Sequence, residues 1–179
     1  MTTAGLVLAA GEGKRFGGPK APFLYKGERL IDRAVRTLHE AGCDPVLAVL
    51  GAWSGEVDDA EVLLNSSWSE GMGSSLRFGL QHAQHDSRIE AVVILLVDQP
   101  GITSGAIGRL MNSGGSLVQA SYEGRPGHPV LIGREHWLPL IGSLHGDVGA
   151  RDYLKSSPDR QLVEISDISD DTDMDTPPN

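Results

Sequence analysis

Glycine and basic residues are concentrated in one short segment near the start of the chain, LAAGEGKRFGGPK at residues 8–20. Because glycine has no side chain, the backbone N–H groups around its four glycines are able to approach an anion closely. Lys14, Arg15 and Lys20 add positive charge for charge-assisted hydrogen bonds to phosphate oxygens. The segment therefore predicts a phosphate-binding loop, with a flexible surface turn that carries incidental basic residues as the alternative interpretation.

The spacing within this segment differs from two common phosphate-binding loops. It is not the dinucleotide pattern G-x-G-x-x-G, because Phe16 stands where the third glycine would be. It is not a Walker loop either, since no Ser or Thr follows a Gly-Lys pair that has the required earlier glycine. The segment therefore matches neither of these two loop patterns.

An acidic residue follows a second apolar run, in LLVDQPG at residues 95–101. The run ends at Asp98, and Pro100 indicates a turn. Mg²⁺ is usually held by one or two carboxylates together with phosphate oxygens. A carboxylate at a strand end near a phosphate loop suits that ion, so Asp98 is the strongest metal-binding candidate, and a turn-capping role is the alternative.

Short apolar runs and helical periodicity indicate the elements that must position these residues. Seven runs rich in Val, Leu and Ile predict strands covered on both faces, at residues 6–10, 46–50, 62–64, 91–97, 117–120, 130–132 and 162–165. An apolar stripe over residues 30–38, closed by Gly42, predicts one helix, and a second is expected after a candidate cap at Ser74. Further helices are expected at 104–111 and 148–154.

The alternation of strands and helices predicts a single α/β domain with a mainly parallel sheet. In such sheets ligands bind at the carboxyl ends of the strands. The glycine-rich loop and Asp98 both follow predicted strands, so we expect them to lie at the same edge of the sheet.

Composition limits the partners and the compartment. The 179 residues correspond to about one domain, and 24 acidic against 15 basic side chains give a net charge of −9. This balance argues against nucleic acid or an anionic membrane as the main partner, and no apolar run approaches the roughly 20 residues of a bilayer span. Cys43, the only cysteine in the sequence, excludes an internal disulfide and a cysteine-built metal cage. We therefore expect a cytoplasmic protein.

Three further features favour structural interpretations. The acidic stretch at 166–179 predicts a solvated, mobile tail that follows a domain at 1–165. His82 and His85 are spaced for metal binding on a helix, but no carboxylate is evident near them, so exposed polar residues are the preferred interpretation. Cys43 follows Gly42 at a helix end and is interpreted as a small buried hydrophobe.

Six motifs in order resemble the molybdenum cofactor cytidylyltransferase family, close kin of the molybdopterin guanine-dinucleotide synthases. They are L-A-A-G-x-x-x-R-F-G-G-x-K at 8–20, NSSWSEGMGSSL at 65–76, VDQP at 97–100, SYEGRPGHPVLI at 121–132, LHGDVGAR at 144–151 and DMDTP at 173–177. The resemblance covers nearly the whole chain. It implies a Rossmann-like, three-layer αβα fold of the nucleotide-diphospho-sugar transferase type.

The resemblance also implies roles for residues in each motif. Nucleotide binding would fall to Ala9, Ala10, Gly11, Gly13, Arg15, Lys20, Gly71 and Ser75. Arg15, Lys20 and Asp98 would be catalytic, and Mg²⁺ would be held by Asp98 and Asp175, with Asp173 the less favoured ligand. The acceptor would be bound by Arg125, His128, Asp147 and Arg151.

The implied reaction transfers CMP from CTP to the terminal phosphate of molybdopterin or the molybdenum cofactor and releases pyrophosphate. Ala-Ala-Gly at 9–11 and Asp-Gln-Pro at 98–100 resemble the cytidylyl members, whereas guanylyl members more often have Ala-Gly-Gly in the first motif. Guanylyl transfer from GTP, another phosphorylated acceptor such as a sugar or polyol phosphate, and a non-catalytic nucleotide- or cofactor-binding chaperone are the alternatives. A recipient molybdoenzyme or its chaperone is an expected partner.

Overall fold

The computed structural model describes residues 2–178 of the chain. A central sheet contains seven strands, and a separate hairpin pairs two short ones. The strands are β1 (Thr2–Ala9), β2 (Leu24–Tyr25), β3 (Glu28–Arg29), β4 (Val46–Leu50), β5 (Glu61–Leu64), β6 (Ile89–Leu96), β7 (Leu117–Tyr122), β8 (Arg125–Gly133) and β9 (Gln161–Glu164). The helices are α1 (Leu30–Glu40), α2 (Met72–Gln84), α3 (Ser104–Met111), α4 (Trp137–Ser143) and α5 (Arg151–Ser156).

The strand order in the sheet is β5-β4-β1-β6-β8-β7-β9. Strand β8 is antiparallel to both of its neighbours, and every other pair in the sheet is parallel. The predicted mainly parallel sheet is therefore confirmed. Because β8 runs against the rest, it begins at the edge where the parallel strands end, and this brings its first residues to the same side as the glycine-rich loop.

Helices cover both faces of the sheet and produce the two hydrophobic layers of the core. Helices α1 and α3 pack on one face through Ile31, Val35, Leu38, Ile107 and Leu110. Helices α2, α4 and α5 pack on the other through Leu76, Leu80, Leu140 and Leu154. This is the predicted three-layer αβα arrangement. Among the described helices, none has the length and apolar content that a bilayer crossing requires.

All seven predicted strands are present, but the helices show three differences. Helix α2 begins at Met72 with Gly71 as its N-cap, so the prediction of Ser74 as the cap is wrong. Helix α5 begins at Arg151 rather than at residue 148. Helix α4 was not predicted, because Pro139 and Gly142 interrupt a segment of only seven residues.

The C-terminal segment, residues 166–178, lies against the carboxyl edge of the sheet. Its first anchor is the buried Ile165, whose N–H donates to the Ser121 carbonyl at 3.0 Å. Further along, the Asp170 N–H donates to the Gly101 carbonyl at 3.2 Å, and the Met174 N–H donates to the Asp98 carbonyl at 2.8 Å. The mobility expected for this segment stays a prediction, but its contacts place DMDTP beside VDQP.

Candidate active site

The glycine-rich loop after β1 folds back on itself at Gly13. The Gly13 carbonyl accepts hydrogen bonds from the N–H groups of Gly17, at 2.9 Å, and Gly18, at 3.1 Å. Gly13 has a φ of +62°, and a Cβ atom there would overlap the Gly18 carbonyl oxygen. Because both the backbone angle and the space exclude a side chain, the tight turn requires glycine at this position.

Three charged residues that are distant in sequence meet at the carboxyl edge of the sheet. The Lys20 Nζ donates to Asp98 Oδ2 at 2.9 Å and lies 3.7 Å from Asp175 Oδ1. Lys20 follows the glycine-rich loop, Asp98 follows β6, and Asp175 belongs to the C-terminal segment. Arg15 is exposed, with a guanidinium nitrogen 3.8 Å from the Asp175 carboxylate. The structure thus brings together candidate catalytic and metal-binding residues of three motifs.

Gln99 joins VDQP to the C-terminal segment. Its side-chain amide is buried and donates to Asp173 Oδ1 at 2.8 Å and to the Asp171 carbonyl at 3.2 Å. Burial raises the pKa of Asp173, and the negative charges of Asp98 and Asp175 raise it further. Sequence reasoning gave Gln99 no role of its own, and the one signal available was its place directly after Asp98.

Asp98 and Asp175 are suited to hold a divalent cation. Their carboxylates already share one ammonium group, that of Lys20, which shows that this point of the site favours positive charge. Hard oxygen donors are what Mg²⁺ prefers, and two carboxylates suffice when phosphate oxygens complete the coordination. Over residues 2–178 no group of three or more His, Cys, Asp or Glu side chains is arranged to hold a metal unaided. The residues therefore fit a cation that is bound together with a phosphorylated ligand.

A pocket of about 370 Å³, here called the loop pocket, opens between the glycine-rich loop and the start of α2. Ala10 and Gly11 line one side, Gly71 and Ser75 line the other, and Trp68 contributes part of its half-buried ring. The preceding Ala9 is the last residue of β1 and is buried in the sheet. Residues from the first two motifs therefore form one pocket.

Asn65 orients two serines at the start of α2. The buried Asn65 amide donates to Ser74 Oγ at 3.0 Å and to Ser75 Oγ at 3.1 Å, while its Oδ1 accepts from the Ser67 N–H at 3.0 Å. Ser74 Oγ also lies 2.9 Å from the Gly71 carbonyl, to which it is able to donate. Ser74 is therefore part of a buried network, and Ser75 belongs to the lining of the loop pocket.

The loop at residues 144–148 lies directly on this turn of α2. The Gly73 N–H donates to the Gly146 carbonyl at 3.2 Å, and a Cβ atom on Gly73 would lie 2.5 Å from the Val148 carbonyl oxygen. Gly71 has a φ of +114°, and a Cβ atom there would overlap the Asp147 carboxylate. Both glycines are needed because the 144–148 loop approaches so closely. Asp147 consequently lines the loop pocket.

The other candidate acceptor residues lie elsewhere. The Arg125 guanidinium makes a two-pronged ion pair with Asp171, at 2.8 and 3.2 Å. Burial lowers the pKa of His128 to about 4, although the negative charges of Asp98 and Asp171 oppose that shift. A neutral imidazole therefore faces the Asp98 side of the site at pH 7. Arg151 begins α5 and is exposed.

The structure also shows the surroundings of His82 and Cys43, two residues outside the site. His82 Nε2 lies 2.8 Å from Glu61 Oε1, so one carboxylate of β5 lies beside the histidine pair. The pair still forms no metal cluster within the described chain. Cys43 is buried, and burial raises the pKa of its thiol to about 12, which confirms its interpretation as a small hydrophobe.

Comparisons with known proteins agree with this geometry. A sequence model of the MobA-like NTP transferase domain matches residues 5–162. A protein of Paenarthrobacter nicotinovorans named nicotine blue oxidoreductase is 37% identical over 96% of this chain and 91% of its own length. A protein of Opitutus terrae named as a probable molybdenum cofactor guanylyltransferase is 34% identical over 60% of this chain and 53% of its own.

The fold has a close counterpart among solved structures. The crystal structure of a homologue of a Mycobacterium tuberculosis protein, from Mycobacterium sp. strain JC1, superposes with a TM-score of 0.81. It is 27% identical in sequence, and the match covers 97% of this chain and 90% of that one. The shared architecture therefore extends over nearly the whole chain.

Proposed function

The chain belongs to the MobA-like NTP transferase family, and from that premise we propose that it transfers CMP from CTP to the terminal phosphate of a molybdopterin-type cofactor. Pyrophosphate is the second product. The observation that carries the proposal is the meeting of Lys20, Asp98 and Asp175 beside the glycine-rich loop. The relatives named as molybdenum cofactor guanylyltransferases support the choice of acceptor.

In the proposed reaction an oxygen of the acceptor's terminal phosphate attacks the α-phosphorus of the nucleotide. The new bond joins that oxygen to the α-phosphorus, and the bond from the α-phosphorus to the bridging oxygen of the β-phosphate breaks, so pyrophosphate leaves with the bonding electron pair. Such a transfer needs no protein nucleophile, because its rate depends on positioning and on neutralising phosphate charge. We assign these tasks to the residues around Lys20.

We assign the phosphate chain to the backbone of the glycine-rich loop, whose tight turn requires glycine at Gly13. Lys20 is much less exposed than Arg15, and we assign to it the charge at the α-phosphate, while the exposed Arg15 contacts the outer phosphates. Asp98 and Asp175 would hold a divalent ion, preferably Mg²⁺, which when bound supplies further positive charge to the phosphate oxygens.

On the acceptor side, Arg125 and His128 lie in the first half of β8, and the negative charge of Asp98 acts on His128. A guanidinium suits a phosphate or a planar heterocycle, and a neutral imidazole is able to donate or accept a hydrogen bond. Arg125 is paired with Asp171, so acceptor binding there requires exchange of that ion pair for a substrate group. We keep Arg151 as a further acceptor contact.

The test is pyrophosphate release from purified protein supplied with Mg²⁺, molybdenum cofactor and CTP, GTP, ATP or UTP in turn. We expect release with CTP, and its loss in Asp98→Ala. Release with GTP alone would identify a guanylyltransferase, the activity in the names of two relatives. Release with a sugar or polyol phosphate in place of the molybdenum cofactor would identify another acceptor. Nucleotide binding without release with any acceptor would instead identify a non-catalytic nucleotide or cofactor chaperone.

One observation favours a second candidate function. The relative named nicotine blue oxidoreductase matches 96% of this chain at 37% identity. We therefore propose as the second candidate a redox reaction on nicotine blue. The measurement is the loss of the dye's visible absorbance with NADH or NADPH as reductant. Loss of colour without pyrophosphate release under the previous conditions would favour this candidate over nucleotidyl transfer.

A further inference from the structure

Asp147 is held at the loop pocket by backbone contacts on both of its sides. The Gly146 carbonyl accepts from the Gly73 N–H at 3.2 Å, and the Val148 N–H donates to the His145 carbonyl at 2.9 Å. The Leu144 carbonyl accepts a hydrogen bond from the Arg77 guanidinium of α2. The 144–148 loop is thus fixed against α2, and its fixed position puts the Asp147 carboxylate beside Gly71.

The charge of Asp147 is unbalanced within the loop pocket. The charged side chains that line the pocket are those of Glu12, Lys14 and Asp147. Glu12 and Lys14 pair with each other at 2.9 Å. Asp147 makes no ion pair with any residue in the 2–178 range that the structure describes. A lone carboxylate repels phosphate oxygens, so the part of an anionic ligand that it suits is one that carries N–H donors.

A second polar group complements this carboxylate. Ser75 Oγ accepts from the Asn65 amide at 3.1 Å, which leaves its own proton free to donate into the loop pocket. The pocket therefore offers a negatively charged acceptor, Asp147, and a hydroxyl donor, Ser75. An exocyclic amino group beside a ring nitrogen or carbonyl matches this pair, and cytosine has that edge, whereas uracil has a carbonyl in place of the amino group.

We propose that Asp147 determines base specificity by accepting a hydrogen bond from the exocyclic amino group of the nucleotide, and so excludes uracil. The proposal rests on the nucleotidyltransferase function given above and deepens it. It differs from the acceptor-binding role implied by the motif resemblance, because Asp147 lines the loop pocket with Ala10 and Ser75, whereas Arg125 is paired with Asp171 of the C-terminal segment. Cytosine and guanine both carry an exocyclic amino group that is able to donate to the Asp147 carboxylate. Asp147 therefore distinguishes bases with an amino group from uracil, and it does not distinguish cytosine from guanine.

The experiment measures binding of CTP, GTP and UTP by calorimetry with Mg²⁺, for the wild type and for Asp147→Asn. The amide keeps the size of the side chain but is able to donate as well as accept, so it tolerates the carbonyl of uracil. We expect the preference of the wild type for CTP or GTP over UTP to shrink by about 10- to 100-fold in the variant. Asp159→Asn, the same change at an exposed position outside the pocket, is the matched control and should keep the wild-type ratio.

Three results would overturn the proposal: an unchanged CTP to UTP affinity ratio in a folded Asp147→Asn protein, an equal change for every nucleotide, or no nucleotide binding by the wild type. An increase in the KM for the acceptor alone would restore the acceptor role. Binding that discriminates against UTP without pyrophosphate release would leave the proposal standing and overturn only the transferase function, so the two failures are distinguishable.

Discussion

Asp98→Asn tests the center of the candidate site. The substitution replaces the carboxylate after β6 by an amide of nearly the same size. It removes the negative charge that pairs with Lys20 at 2.9 Å and that is proposed to help hold the divalent ion. Asp175 remains 3.7 Å from the Lys20 ammonium, so one negative charge stays in the site.

The geometry predicts a large loss of activity and a small loss of stability. Removal of one preorganised charged or polar group at a transition state lowers turnover by about 10²- to 10³-fold, or about 3–4 kcal/mol. The Lys20 and Asp98 side chains are 17% and 22% exposed, so their ion pair is partly buried. A surface ion pair contributes about 0–1 kcal/mol, and breaking a fully buried pair costs about 3–5 kcal/mol, so the cost here lies between these values. Because Asp175 still compensates Lys20, we expect the free energy of unfolding to fall by about 1–2 kcal/mol.

The assay compares pyrophosphate release at saturating nucleotide over a range of Mg²⁺ concentrations, together with thermal unfolding. Asp167→Asn is the control, since it removes an aspartate paired with Arg109 at 2.7 Å outside the site. We expect the control to keep its turnover. A folded Asp98→Asn protein that retains more than about a tenth of wild-type turnover, or an equal loss in the control, would refute the assignment of Asp98.

Three further predictions concern packing, reactivity and pH. Gly79→Val should lower the free energy of unfolding by about 1–3 kcal/mol, because a Cβ atom there lies 2.6 Å from the buried Leu6 side chain. Gly108→Val is the control, since the space around Gly108 is open, and it should change the free energy of unfolding by less than about 0.5 kcal/mol. Chemical denaturation measures both values. The Cys43 thiol, with a pKa raised to about 12 by burial, should react with a disulfide reagent at pH 8 at least about 10³-fold more slowly in the native than in the unfolded protein. Hydrogen bonds from a serine hydroxyl and backbone N–H groups lower the pKa of Glu164, so its stabilisation is present at neutral pH and is lost as the pH falls through the lowered value. Glu164→Gln should therefore melt below the wild type at pH 7, and the difference in Tm should narrow below about pH 4.

The fold was largely predictable because its strands are continuous apolar runs. A parallel sheet covered on both faces produces such runs, and all seven became strands. Helix α2 shows where local reasoning fails. Ser74 has the chemistry of an N-cap, but the backbone turns at Gly71, whose φ of +114° and contact with the 144–148 loop fix the start of the helix. That contact joins residues more than 70 positions apart, so no local pattern contains it.

The candidate site likewise combines features that the sequence predicts with features that depend on distant contacts. The meeting of the glycine-rich loop with Asp98 follows from one rule, that ligands bind at the carboxyl ends of parallel strands. The positioning roles of Asn65 and Gln99 depend on contacts across the fold, to the start of α2 and to the C-terminal segment. Amide side chains carry no charge and make no recognisable spacing, so the sequence offered only one signal for the pair, the place of Gln99 directly after Asp98.

The C-terminal segment shows which contacts composition alone leaves out. An excess of aspartates predicts a solvated tail when each charge is counted without its partner. In the structure Asp167 pairs with Arg109, Asp171 pairs with Arg125, and Asp173 accepts from a buried amide. The partners belong to the folded domain, so the segment lies along it and brings Asp175 to Lys20. The net charge of −9 therefore describes the whole chain, whereas the position of this segment depends on local charge compensation.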